Sequence, residues 1–142
     1  MRSLLDVNVL IALLDADHAM HGSATKWFAG NAKEGWASCP ITQNGCLRIM
    51  SHPGYPGTVP IASIAERLLE ATSHHRHQFW PDDFSVLDPK VVDAHRIQGP
   101  KQLTDVYLLA LAHRHDGRFV TFDASVHLAA IVGGRSKRLV LL

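Results

Sequence analysis

The sequence predicts an α/β fold: a mostly parallel sheet of about five strands, covered by helices on both faces, with the first strand near the centre. Three observations carry this. Short apolar runs of strand character alternate with segments of helical spacing, the pattern of strand-helix-strand units whose right-handed crossovers build parallel sheets. Glycine and proline fall between the runs, at Gly35, Pro40, Pro53 to Gly57, Gly99-Pro100 and Gly133-Gly134. An aspartate stands where strand-like residues give way to a helical pattern in Ser3-Leu4-Leu5-Asp6, Leu103-Thr104-Asp105 and Val120-Thr121-Phe122-Asp123.

Taken in order, Ser3-Leu4-Leu5 reads as a short buried strand, and Asn8 to Leu14 as a helix that Asp15-Ala16-Asp17 interrupts. A second helix is expected from about His18 to Asn31, with Ala24, Trp27 and Phe28 on one face. Gly35 then opens a strand, Trp36 to Cys39, that Pro40 closes. Ile41 to Met50 reads as helix, and Ser51 to Gly57 as a loop. Pro60 starts an amphipathic helix carrying Ile61, Ile64, Ala65, Leu68 and Leu69 and ending near His74. Phe84-Ser85-Val86-Leu87 reads as the third strand, stopped by Asp88-Pro89 before a short helix through Val91, Val92 and His95. Thr104 is expected to cap a helix from Asp105 to His115, which Asp116-Gly117 ends before a strand from Arg118 to Phe122. A final short helix, the Gly133-Gly134 turn and a strand from Arg138 to Leu141 complete the pattern.

A chain of 142 residues is the size of one ordinary domain, so residues 1–142 are expected to form one without a linker. Its 46% hydrophobic and 19% charged residues describe a globular chain, and no stretch approaches the roughly 18 apolar residues of a membrane span. Asp6 breaks any signal-peptide core, so a soluble, cytoplasmic protein without membrane association is expected. Cys39 and Cys46 have no second pair to make a zinc site and read as reduced thiols. With a net charge of +1, a nucleic-acid partner has to meet local basic groups.

The aspartates are the chemical signal. Open parallel sheets bind ligands beyond the carboxyl ends of their strands, where Asp6, Asp105 and Asp123 would converge. Gathered carboxylates repel one another, and a hard divalent cation relieves them, which points to metal-dependent chemistry on phosphate. Helix capping explains an isolated aspartate equally well, but Thr104 already offers a cap beside Asp105.

These residues resemble PIN-domain ribonucleases of the VapC toxin type, over the whole length. Asp6-Val7-Asn8 with its apolar run is similar to the family's opening motif, and His18, His21, Ala24 and Trp27 to the pattern that follows. Cys39-Pro40-Ile41-Thr42-Gln43-Asn44-Gly45-Cys46-Leu47-Arg48 resembles the second motif. His95, Ile97, Gly99, Leu103, Thr104, Asp105 and Leu108 to Ala112 resemble the third, and Val120-Thr121-Phe122-Asp123 the fourth. The resemblance implies a three-layer α/β/α PIN-like fold, Mg²⁺ or Mn²⁺, hydrolysis of RNA phosphodiester bonds to 5′-phosphate and 3′-hydroxyl ends, and a homodimeric toxin restrained by a small antitoxin. Gln43 departs from it, standing where many members carry glutamate: a neutral amide brings no charge and is no general base, which puts a second metal in question.

On this reading Asp6 and Asp105 ligate the cation, Asp123 orients a water with Gln43 beside it, and Asn8 and Thr121 brace the carboxylates from behind. Arg48, Arg96 and Lys101, in the same motif segments, are the candidate phosphate contacts. Arg135, Lys137 and Arg138 read as protection of a sheet edge, and His74, His75 and His77 as the end of a helix. His18 with His21 would need a third ligand to hold zinc. Trp27, Phe28, Trp36 and Trp80 read as core or subunit interface, and the helix of Leu68 and Leu69 as one wall of a groove for an antitoxin helix. Two other readings compete. Leu4-Leu5-Asp6-Val7-Asn8 also resembles the nucleophile motif of haloacid-dehalogenase-type phosphatases, with Asn8 where a second aspartate belongs. Gln43 motivates a catalytically impaired module that binds RNA or a partner without cutting.

Overall fold

The structure, a computed structural model, describes residues 1–142. Five strands form one all-parallel sheet: β1 (Ser3–Leu5), β2 (Trp36–Ser38), β3 (His77–Phe79), β4 (Arg118–Thr121) and β5 (Leu139–Leu141), in the order β3-β2-β1-β4-β5. β1 is central, as expected. The helices are α1 (Val7–Leu14), α2 (His21–Asn31), α3 (Pro40–Met50), α4 (Ile61–Thr72) and α5 (Leu103–Arg114).

The two-residue period of the strands divides the core. Leu4, Ala37 and Phe119 face one side and pack with Leu108, Leu109 and Leu111 of α5. Leu5, Trp36 and Val120 face the other and pack with Val9, Leu10 and Ile11 of α1, Cys46 and Met50 of α3, and Ile64 and Leu68 of α4. Each buried Leu contributes about 1.5–3 kcal/mol, so the helices are clamped on both faces of β1. α5 is buried almost all round from Val106 to Ala112, which is why it lacks an amphipathic pattern. Trp36 and Trp80 are core residues, whereas Trp27 is partly buried, with the Arg118 guanidinium 5.3 Å from its ring centre.

Five expected elements differ. The third strand is His77–Phe79, not Phe84 to Leu87. β3 is an edge strand of mostly exposed residues, so it carries no apolar signature, and His77 lies in it rather than at a helix end. The Phe84 to Leu87 segment forms turns on the outside of the core, where the Phe84 ring stacks on Tyr107 at 4.3 Å and Leu87 is 84% exposed. No helix forms between Asp123 and the Gly133-Gly134 turn: Asp93 N–H donates to Ala130 O at 2.8 Å and Val132 N–H to Val91 O at 3.0 Å, so the chain around Ile131 pairs with the 91–93 segment. Val91 and Val92 are likewise outside any helix, and the short helix there is a 3-10 turn at Ala94–Arg96. α5 starts at Leu103, continuous with a 3-10 turn at Pro100–Gln102, so Thr104 lies inside its first turn and caps nothing. α2 starts three residues later than expected because turns occupy His18 to Met20.

The C-terminal basic run lies just ahead of a strand at the sheet edge. Arg138 pairs with Asp116 at 2.8 Å just ahead of edge strand β5. Gly45 lets α3 lie against the start of α1: a Cβ there would come within 2.7 Å of Val7 Cγ2. Alanine gains about 1 kcal/mol of helix propensity, against about 1–3 kcal/mol for overpacking a branched, rotamer-restricted valine. Gly45→Ala is therefore expected to lower Tm by about 4 °C, and the same change in a Val7→Ala background to raise it. Thermal unfolding of the four proteins of this cycle checks the sign reversal; equal effects in both backgrounds would place the strain elsewhere.

Candidate active site

β1 and β4 are parallel neighbours in the register Leu5↔Val120, so their carboxyl ends emerge side by side. Asp6 follows β1 and is the N-cap of α1, with Oδ1 accepting the Val7 N–H at 2.7 Å. Its other oxygen accepts the Thr121 hydroxyl at 2.6 Å. Thr121 Oγ1 in turn accepts Asn8 Nδ2 at 3.3 Å and the Asp123 N–H at 3.0 Å, while Asn8 Oδ1 accepts the Phe122 N–H at 3.4 Å. Thr121 thus ties Asp6 to the Asp123 backbone, and Asn8 bonds to Thr121 while itself lining the cleft. Asp6 is only 7% exposed. Burial raises its pKa, opposed by the bonds from Thr121 and Val7, and the Asp123 charge raises it further.

Asp105 reaches the same place from the first turn of α5. No protein group donates to its carboxylate, and burial, then the charges of Asp6 and Asp123, push it up to about 6. Asp123 differs. It is exposed, and its Oδ1 accepts both the Ser125 N–H at 2.8 Å and the Ser125 hydroxyl at 2.6 Å, which holds it below the usual carboxylate range. Its Oδ2 is free. The three acids line one open cleft of about 380 Å³, joined there by Asn8, His18, Ile49 and Tyr55.

Those donors suit a hard divalent cation. Asp105 is a partly buried carboxylate without a donor, facing two others, and positive charge relieves it. No three His, Cys, Asp or Glu side chains are drawn together at ligating separation. One or two carboxylates with retained water is the usual manner of Mg²⁺ binding, and Asp6 and Asp105 are two carboxylates that line the same cleft.

The other expected residues are dispersed. Gln43 Nε2 donates to Ser38 Oγ at 2.9 Å, and Ser38 Oγ also meets His77 Nε2 at 2.8 Å, so Gln43 is engaged at the end of β2 and does not line the acidic cleft. Arg96 is ion-paired to Asp93 at 3.3 Å beside a small recess that includes Asp105. Lys101 is exposed on the turn before α5, and Arg48 is exposed near the end of α3. His18 and His21 each use Nδ1 locally, on the Met20 N–H and the Ala12 carbonyl. Tyr55, whose hydroxyl donates to Asp15, was not legible as a cleft residue: it sits within a Pro/Gly-rich loop with no motif around it. Burial and the Asp15 bond push that phenol up to about 12, so it remains a donor.

Comparison with known proteins bears on the family and the fold. The sequence model of the PIN domain matches residues 3–131. The chain is 52% identical to ribonuclease VapC44 of Mycobacterium tuberculosis over 142 residues, 100% of both chains. Among solved structures it is similar in fold to Mycobacterium tuberculosis VapC20, described as a toxin cleaving the sarcin-ricin loop, at a TM-score of 0.60 and 12% identity over 87% of this chain and 91% of that one. It is also similar to a chain of Rickettsia felis VapBC2 bound to a DNA fragment from its promoter, at a TM-score of 0.58 and 13% identity over 88% and 90%.

The raised Asp105 pKa has a stability consequence. An unfolded aspartate releases its proton near 3.8, the folded one near 6, so the folded state holds the extra proton between these values and loses stability as pH rises through that window. Discounted for partial exposure, the effect is about 1 kcal/mol. In metal-free buffer Asp105→Asn is expected to raise Tm by about 3–4 °C at pH 7.5 and to change it little at pH 4. Calorimetry at both pH values checks this; a variant less stable at pH 7.5 would mean that Asp105 is not under repulsion.

Proposed function

This chain belongs to the PIN-domain family, and on that premise we propose that it is a metal-dependent endoribonuclease, the toxin of a type II toxin-antitoxin pair. The observation that carries the reading is the convergence of Asp6, Asp105 and Asp123 on one cleft, with Asp105 lacking any protein donor. Full-length identity of 52% to a ribonuclease supports the same substrate class. The haloacid-dehalogenase alternative does not account for the family match over residues 3–131.

Asp6 and Asp105 would hold Mg²⁺ or Mn²⁺. The cation, when bound, supplies positive charge for the phosphoryl group and lowers the pKa of water. The protein does the positioning. Thr121 and the Val7 N–H hold both Asp6 oxygens, so that carboxylate presents its remaining lone pairs in a fixed direction. Asn8 fixes Thr121. Asp123, kept ionised by Ser125, has Oδ2 free to accept a hydrogen bond from the attacking water and orient it for in-line displacement, leaving 5′-phosphate and 3′-hydroxyl ends. Gln43, bound to Ser38, adds no charge to this set, which supports a single-cation site.

The partner side of the reading has its own surface. Leu10, Leu13 and Leu14 of α1, Phe28 of α2, and Leu68 and Ala71 of α4 line an apolar trough of about 320 Å³ on the sheet face opposite α5. An amphipathic antitoxin helix fits such a trough. Leu68 is in its wall, whereas Leu69 is 68% exposed. A homodimer and a cytoplasmic location belong to the same reading. Cys39 and Cys46 are buried free thiols, and no helix is long and apolar enough to cross a membrane.

Purified, antitoxin-free protein is expected to cut total cellular RNA at discrete positions with Mg²⁺ or Mn²⁺ and not with EDTA. Asp6→Asn or Asp105→Asn should lower the rate by about 100-fold or more, and Thr121→Val by about 10–100-fold through the loosened Asp6. Folded protein that binds RNA but never cuts it would favour the binding-module reading that Gln43 motivates.

A further inference from the structure

Beside the acidic cleft lies a second cavity, of about 330 Å³, which shares Ile49 and Tyr55 with it as a common wall. It is an open depression lined by the end of α3 and the loop that follows, and that loop is well braced. His52 N–H donates to Ile49 O at 3.2 Å, Tyr55 N–H to His52 O at 2.9 Å, and Thr58 Oγ1 to Met50 O at 3.3 Å.

Three side chains equip the cavity. Arg48 is exposed and takes part in none of the ion pairs, whereas Arg96, Arg114 and Arg138 are each matched to an aspartate. His52 Nδ1 accepts the Gly54 N–H at 2.9 Å, so the neutral ring carries its proton on Nε2 as a fixed donor. Glycine suits this contact, because a Cβ at position 54 would stand 3.1 Å from His52 Nδ1. Tyr55 is pinned by its hydroxyl to Asp15 at the end of α1, which holds the ring in the shared wall. A free guanidinium, an oriented donor and a fixed aromatic ring match the phosphate, base edge and base face of an unpaired nucleotide.

We propose that this cavity is a nucleotide subsite for the RNA strand flanking the scissile phosphate, with Arg48 on a backbone phosphate and Tyr55 and His52 on the neighbouring base. The proposal rests on the ribonuclease reading, since it takes the acidic cleft as the place of cleavage. It gives the strand a direction across the surface: out of the cleft, over Ile49 and Tyr55, toward the end of α3.

The test is the anisotropy of a short, fluorescein-labelled, single-stranded oligoribonucleotide of mixed sequence with the full-length protein in EDTA, where nothing is cut, across a KCl series. Arg48→Ala is expected to weaken binding about 5–20-fold and to reduce the slope of log K against log salt by about 0.7, with partial recovery in Arg48→Lys. Tyr55→Ala should weaken it about fivefold or more, and Tyr55→Phe, which keeps the ring but frees it from Asp15, by less. Arg67→Ala, at an exposed arginine of α4 that lines neither cavity, should stay within about twofold. Arg48 is at the surface, so its variant tests the subsite even if Tyr55→Ala fails to fold. Wild-type binding by Arg48→Ala and by folded Tyr55 variants overturns the proposal. If those variants also cut RNA with Mg²⁺ at unchanged KM, the subsite alone falls; if the wild-type protein neither binds nor cuts RNA, the ribonuclease reading falls with it.

Discussion

The hydrogen bond from Thr121 to Asp6 joins the carboxyl ends of two adjacent parallel strands, and the acidic cleft depends on it. β1 and β4 leave the sheet side by side, so Asp6 and Asp123 come within electrostatic reach although they are far apart in the chain. One hydroxyl serves several partners: it donates to Asp6 and accepts from Asn8 and from the Asp123 backbone. Networks of this kind in low dielectric hold their members in one arrangement, and loosening the shared member disturbs all of them.

The third acid arrives by a different route. α5 is fixed by apolar burial from Val106 to Ala112 against Leu4 and Phe119, and its first turn carries Asp105 to the cleft. A helix so deeply packed cannot shift to relieve one carboxylate, so the core holds in place first its burial and then its repulsion by Asp6 and Asp123, and both appear as the raised Asp105 pKa. The dipole at the start of α5 offsets part of that cost, by about 0.3–1 kcal/mol, which is less than mutual repulsion and burial impose. Core packing thus maintains an acidic cluster with an unmet demand for positive charge. The cluster's exposed member, Asp123, is the one that Ser125 keeps ionised.

Much of this was legible in the chain because it rests on local signals. The buried strands Ser3–Leu5, Trp36–Ser38 and Arg118–Thr121 stand out as apolar runs with a central-strand character, and Asp6 and Asp123 come one and two residues after the ends of two of them. β3 was not legible, since His77-Gln78-Phe79 is an edge whose pairing with β2 is made by backbone groups. Phe84 to Leu87 looked like a strand because apolar content alone does not distinguish pairing from packing on the outside of a core. Asp105 was found for a mistaken local reason: a 3-10 turn and not a strand precedes α5, Leu103 and Thr104 are already helical, and the convergence of the acids is a tertiary fact. Gln43 shows the same limit from the other side. Its motif position suggests the cleft, while its amide is bound to Ser38 and linked through it to His77 on a neighbouring strand.

The central claim is that the self-repelling carboxylates form a divalent cation site, and titration of the protein with Mn²⁺, read by the electron paramagnetic resonance signal of the free ion, tests it most directly. One saturable site that is abolished by Asp105→Asn, and that weakens as pH falls below about 6 while the protein stays folded, is the expected result. Saturable binding that Asp105→Asn leaves unchanged, or an absence of binding by the folded wild-type protein, would contradict it.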